Sequence, residues 1–341
     1  MVQAFIRLSK KERHVSADRS HMLHSIVSED FASLLAPGGI LFAFIVTVSA
    51  TAKLCDYLPK DAGREFAHDG KLSAGKPRGA GIIFVLAFVA AALIFAPLSA
   101  ETVIYLILVG ICMLTGYLDD ASKMPWGEYK KGFLDLCVAA LVAMTFLTYN
   151  TSAISLLHMH FVVPKPVFAL LVVVLVWTSV NVTNCSDGVD GLSGTLTIIT
   201  LMTIYALDRI LEAGQDFSFL ILLFAVCILG YLWYNATPSR LMMGDAGSRA
   251  MGLFISLAIL KTGRPFLYIP VALVLLMDGG LGLVKVALIR FCRVHILTHV
   301  RTPLHDHVRK VWGWSNTQTV YRFAIIQIIL AVAVVYGIGM L

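Results

Sequence analysis

About ten stretches of this chain are apolar over roughly 20 residues, the length a helix needs to cross the hydrocarbon core of a bilayer. They cover 38–57, 80–99, 102–118, 133–150, 165–183, 192–208, 217–235, 249–262, 266–289 and 322–341. The run at 249–262 is short. The run at 266–289 contains Asp278, Gly279 and Gly280, which predicts a broken or bent helix. Composition points the same way: 58% of residues are hydrophobic and 14% charged, with a mean hydropathy of +0.81, whereas soluble domains lie nearer half and a quarter. The expected fold class is an all-α, polytopic membrane protein. Residues 37–341 form one transmembrane domain, preceded by a basic tail, 1–36, that lacks the apolar core of a signal peptide. The net charge of +6 suits basic loops, so a nucleic-acid partner is not called for. The six cysteines contain no CxxC pair, which predicts reduced structural thiols without zinc or a disulfide framework. No internal repeat of the inverted-repeat transporter kind is evident.

Ten spans sort the connections into two sets. One set, at 58–79, 119–132, 184–191, 236–248 and 290–321, is rich in lysine and arginine. The positive-inside rule puts that set in the cytoplasm. The basic N-terminal tail then falls on the other side, against the rule.

Every concentrated polar motif lies in the basic set. Residues 181–192 read NVTNCSDGVDGL, with Asn181, Asn184, Asp187 and Asp190 three apart. That spacing puts them on one face wherever the segment is helical, and Gly188 and Gly191 break the helix and let a ligand approach the backbone. Carboxylates at the end of an apolar span are costly unless they bind a cation or face water. The GYLDDASK motif brings Asp119 and Asp120, which point about 100° apart on a helix. Lys123 is four residues beyond Asp119 and in reach of it. Such a pair suits magnesium, or one base beside one metal ligand; a solvated helix end is the plain alternative. Lys130 and Lys131 add positive potential. In LMMGDAGS, Asp245 precedes a span and reads either as a metal ligand or as an N-cap. The loop from His68 to Gly81 offers Lys71, Lys76 and Arg78 to a phosphate, or is simply a positive-inside loop. In RTPLHDHVRK, His305 and His307 share a face only if the segment is extended; with Asp306, Arg309 and Lys310 they suit a pyrophosphate. Carboxylates, a divalent cation and basic side chains on one face make a kit for pyrophosphate chemistry.

These motifs carry a family resemblance. NVTNCSDGVDGL resembles the NxxNxxDGxDGL signature of the polyprenyl-phosphate N-acetylhexosamine-1-phosphate transferases, GYLDDASK their DDxxK element, and MMGDAGS their FMGDxGS element. Within that superfamily, Lys123, TPLHDH and GWSNTQTVYRF make the chain most similar to the phospho-N-acetylmuramoyl-pentapeptide transferases. The match runs from about Gly70 to the C-terminus. Three departures stand out: Asp306 for the middle histidine of a triplet, GKPRGAG for GTPTMGG, and Met242 for an aromatic that stacks on uracil.

The resemblance implies ten transmembrane helices forming one catalytic domain, a cytoplasmic-face active site in the bacterial inner membrane, and a homodimer. It implies transfer of phospho-N-acetylmuramoyl-pentapeptide from UDP (the substrate UDP-MurNAc-pentapeptide) to undecaprenyl phosphate, giving lipid I and UMP in peptidoglycan synthesis, with Mg2+ as cofactor. By motif, Asp119 is the base, or a nucleophile, and Asp120 and Asp245 belong to the magnesium site. Asn181, Asn184, Asp187 and Asp190 line the nucleotide pocket, with Gly188, Asp190 and Leu192 near uracil. His305 and His307 contact the diphosphate or sugar, and Lys71, Lys123, Lys130 and Lys131 bind substrate. Two rivals remain: a sister transferase with another UDP-N-acetylhexosamine, pointed to by Lys76-Pro77-Arg78 and Asp306, and a carboxylate-coupled secondary transporter, for which Asp278 is the residue of interest.

Overall fold

Helices account for almost all of the regular structure. The structure is a computed structural model that describes residues 29–340 apart from 62, 64–72, 123, 125, 157–158 and 214. In chain order the helices are α1 (Glu29–Leu54), α2 (Gly81–Phe95), α3 (Ala100–Asp120), α4 (Glu128–Tyr149), α5 (Lys165–Cys185), α6 (Leu192–Leu211), α7 (Gln215–Asn235), α8 (Gly244–Lys261), α9 (Pro265–Val271), α10 (Leu273–Cys292), α11 (Leu304–Lys310) and α12 (Asn316–Gly339). A two-stranded antiparallel hairpin, β1 (Ala153–Leu156) and β2 (Met159–Val162), joins α4 to α5. Helix α1 is already formed at Glu29, inside the segment expected to be tail.

Each of the ten apolar runs corresponds to a helix or to the bent pair α9–α10, yet not all are long and apolar enough to cross a membrane alone. Seven are, or eight if α9–α10 counts as one span. Helix α2 has 15 residues, about 22 Å at 1.5 Å each. Helix α8 carries Asp245, Arg249 and Lys261, which dilute its hydropathy. It can carry them because it touches no lipid: every residue from Gly244 to Leu260 is buried. Helices α2, α3 and α5 surround it, and glycines let the backbones touch. A methyl group on Gly81 would overlap Gly247, and one on Gly116 would overlap the Asp245 carbonyl. Aromatic rings fill the α2–α7–α8 junction, with Phe88–Phe254 at 5.2 Å and Phe224–Phe254 at 4.4 Å.

The expected break in the ninth run is present, but it sits elsewhere. The chain bends by 70° between α9 and α10. Pro270, two residues before Ala272, lacks the N–H that would continue the ladder. Fully buried Gln327 of α12 satisfies backbone groups on either side of the break: Val274 N–H donates to its Oε1 at 3.1 Å, and its Nε2 donates to the Val271 carbonyl at 2.5 Å. Asp278, Gly279 and Gly280 form a π-turn, Leu276–Gly280, within α10. At the hairpin end, Lys261 reaches Glu101 at 3.0 Å and Asn150 at 3.0 Å, pinning α8 to α3 and α4. The polar motifs lie at the opposite end.

Candidate active site

Three helix termini converge there: the end of α3 with Asp119 and Asp120, the start of α4 with Lys131, and the start of α8 with Asp245. The two adjacent aspartates diverge as their spacing requires. Asp119 Oδ2 is 2.5 Å from Lys131 Nζ, and its Oδ1 accepts from the Trp126 N–H at 2.6 Å. Lys131 Nζ also donates to Asp245 Oδ2 at 2.9 Å, so one ammonium bridges two carboxylates. Asp120 faces the other way and its side chain is fully buried. Its Oδ2 accepts from the Ala246 N–H at 3.1 Å, capping α8 from outside the helix. Its Oδ1 lies 2.8 Å from Arg78 Nε, an ion pair without hydrogen-bond alignment. Gly244 makes that cap possible, since a side chain there would overlap the Asp120 carboxylate. Asp120 thus caps α8 and pairs with Arg78, and among the described residues its Oδ1 has no hydrogen-bond donor. The N-cap alternative for Asp245 also gives way, because Asp120 does the capping and Met243 occupies the cap position.

Arg78 was legible only as one basic loop residue among several, yet it is a hub. It meets Asp120, Asp61 at 3.5 Å and Asp245 at 3.7 Å. Burial works against its charge, but Asp120, Asp245, Asp61 and Asp119 outweigh burial and hold the guanidinium charged. Main-chain pairing places it: Met242 N–H donates to the Pro77 carbonyl at 2.8 Å, and Ala80 N–H to the Met242 carbonyl at 3.0 Å. Met242 thus clips the loop to the site, and its side chain is half-buried.

The 181–192 stretch is helical only to Cys185, so the four polar residues do not share one face. Asn181 turns to Asp135 at 3.4 Å and to the Trp177 carbonyl at 2.8 Å. Asn184 donates to Ser248 Oγ at 2.9 Å and also serves Asp245. Asp187 follows the helix end. Asp190 accepts from the Ser239 N–H at 3.1 Å and lies 3.9 Å from Lys76 Nζ. Leu192 is fully buried at the start of α6, where Gly191, at φ +83°, makes the turn. One turn into the bundle, Asp135 and Arg249 form a buried ion pair between α4 and α8.

His305 and His307 sit on a helix, α11, and so part company. His305 is 3% exposed, with Nδ1 2.9 Å from Asp278 Oδ2. A methyl on Gly188 would overlap its Nε2. His307 Nδ1 accepts from the Arg301 N–H at 3.2 Å and its ring stands edge-on to Trp312. Asp306 pairs with Arg309 at 2.9 Å and Lys310 at 3.6 Å. Burial would raise its pKa, but His305, Arg309 and Lys310 prevail and hold its carboxyl below the usual range. Lys130 stacks over Trp126 at 3.3 Å, away from the carboxylates. Lys71 and Lys123, and with them the expected Lys123–Asp119 pair, lie outside the described residues.

Among the described residues, no three His, Cys, Asp or Glu side chains are grouped to hold a metal. Magnesium, however, commonly takes one or two carboxylates and completes its shell with water and phosphate. Asp119 and Asp245 already aim two oxygens at one cationic point, so this donor set fits a hard divalent ion.

A family profile described as glycosyl transferase family 4 matches residues 102–263. The phospho-N-acetylmuramoyl-pentapeptide-transferase of Treponema pallidum (strain Nichols) is 41% identical over 316 residues, 86% of this chain and 85% of the relative. The protein of that name from Symbiobacterium thermophilum is 31% identical over 73% of this chain and 78% of its own. The one from Moorella thermoacetica is 29% identical over 87% and 96%.

Proposed function

The chain belongs to the phospho-N-acetylmuramoyl-pentapeptide transferase family, a group of multi-pass membrane transferases, and we propose that it transfers phospho-N-acetylmuramoyl-pentapeptide from UDP to undecaprenyl phosphate. The products are lipid I and UMP. The observation that carries this reading is the Asp119–Lys131–Asp245 bridge at the end of the bundle. The active site faces the cytoplasm of the bacterial inner membrane, a placement that the basic loops around it support through the positive-inside rule. The working form is a homodimer.

An oxygen of the lipid phosphate attacks the β-phosphorus of the nucleotide sugar, a new P–O bond forms, and the bond to UMP breaks. Asp119 takes the proton from the lipid phosphate, after Lys131 swings from it. Asp245 and Asp119 would hold Mg2+, which would neutralise pyrophosphate charge when bound. Lys131 and Arg78 supply positive charge to the same region, and Asp187 and Asp190 face the nucleotide. Most of the rate comes from positioning and preorganised charge. An apolar cavity of about 230 Å³ between α5, α9 and the hairpin, lined by Phe168, Leu175, Thr178 and Leu276 among others, suits the prenyl tail. It approaches the site along α5, where Thr178 lies one turn from Asn181.

The two departures that pointed to another sugar donor have internal partners. Arg78 is engaged by three carboxylates and Asp306 by Arg309 and Lys310. Neither change therefore argues for a sister transferase. A transporter would need acids at mid-bilayer, and Asp278, the acid inside the ninth apolar run, is held by His305.

Three outcomes test the assignment. Removing divalent ions with EDTA is expected to stop UMP release, and added magnesium to restore it; undiminished activity in EDTA contradicts the metal role. Lys131→Gln is expected to lower turnover roughly 10²-fold while lowering the magnesium needed for half-maximal rate, because the ion no longer competes with an ammonium. A raised magnesium requirement would contradict that competition. Solute flux in proteoliposomes without UMP release would favour the transporter.

A further inference from the structure

The mechanism leaves Asp278 unused. It sits in the π-turn of α10, fully buried, and a lone carboxylate there would be strongly disfavoured. One residue satisfies both of its oxygens: His305 N–H donates to Oδ1 at 2.8 Å, and His305 Nδ1 lies 3.1 Å from Oδ1 and 2.9 Å from Oδ2. That contact keeps a proton on Nδ1 and fixes the ring plane. Nε2, on the far side of the ring, is then seated on Gly188, where no side chain fits. Arg309 fastens the same joint, donating from Nε to the His305 carbonyl at 3.3 Å and from a terminal nitrogen to the Gly188 carbonyl at 3.4 Å. The π-turn also rests on the end of α5: a methyl on Gly279 would overlap the Val182 carbonyl, and Ser186 Oγ donates to the Leu275 carbonyl at 3.5 Å.

We propose that Asp278 is a positioning residue that acts through His305 to seat Gly188, and with it Asp187 and Asp190, at the nucleotide end of the site; the inference rests on the assignment of that loop to the nucleotide. Asp278, His305 and Gly188 form a strut in series from α10 to the loop. Loss of any member lets the loop drift, weakening the nucleotide side while Asp119, Lys131 and Asp245, on α3, α4 and α8, keep their places.

The test measures UMP binding by titration calorimetry and both KM values on the full-length protein. Asp278→Asn keeps the shape and removes the charge. It is expected to weaken UMP binding about 10-fold, as loss of an outer partner typically does, and to raise the nucleotide-sugar KM by a similar factor with the undecaprenyl phosphate KM unchanged. Because the members act in series, Asp278→Asn with His305→Ala should bind UMP no worse than His305→Ala alone. Wild-type UMP affinity in Asp278→Asn, or an equal rise in both KM values with a lower thermal midpoint, overturns the strut. If Asp278→Asn does not fold, His305→Asn decides: it keeps a donor for Asp278, lacks Nε2, and should lose UMP affinity; retained affinity overturns the proposal. Asp190→Ala separates the two layers. Normal UMP binding there refutes the nucleotide assignment itself, whereas weakened binding there beside normal binding in Asp278→Asn refutes only the strut.

Discussion

Asp245→Asn is expected to lower UMP release by roughly 10²–10³-fold or more, the loss typical of a group that stabilises charge in the transition state, in a protein that remains folded. Asp245 stands where Lys131 at 2.9 Å, Arg78 at 3.7 Å and the start of α8 meet. The amide keeps its size and can still accept one hydrogen bond, so packing survives. What goes is the charge that two basic residues and a divalent ion are arranged around. The same change leaves Asp187 and Asp190 in place, so residual binding of UMP should persist. Thermal melting beside a UMP-release assay reads both effects. Normal turnover at ordinary magnesium would remove Asp245 from the metal site.

Asp119→Asn should be nearly as damaging for a different reason. Asp119 is the carboxylate that shares Lys131 with Asp245 while a backbone N–H fixes its other oxygen. The asparagine can neither take a proton from the lipid phosphate nor hold Lys131 as an ion pair. Turnover should fall by roughly 10²–10⁴-fold, the range expected for a general base, with UMP affinity little changed. Residual activity that climbs with pH would fit a base role, because solvent base then stands in for the missing carboxylate; turnover close to that of the unaltered protein would argue against it. By contrast, Asp120→Asn should act mainly on folding, since its oxygens cap α8 and meet Arg78.

The helices could be read from the sequence because lipid demands long apolar runs, and each such run became a helix. Length and hydropathy alone single out seven or eight of these runs, and they miss helices where that logic fails. Helix α8 is shielded by protein on all sides and so tolerates Asp245, Arg249 and Lys261. The bend was anticipated from Gly279 and Gly280, yet Pro270 and Ala272 set it, and Gln327, distant in sequence, makes the break affordable. The motif aspartates were legible because acids at the ends of apolar spans need a reason. Their partners were not. Arg78 looked like any basic loop residue, Asp278 like an isolated acid, and Asp135–Arg249 joins positions far apart in the chain. Spacing speaks for neighbours on one helix, and these pairs form between helices.

The central claim is tested most directly by donor choice. Purified protein in lipid or detergent is given undecaprenyl phosphate and magnesium with either UDP-MurNAc-pentapeptide or UDP-GlcNAc, and UMP and the lipid-linked product are measured together. UMP and lipid I should appear with the first donor and depend on the lipid acceptor. Turnover of UDP-GlcNAc alone would contradict the proposed substrate.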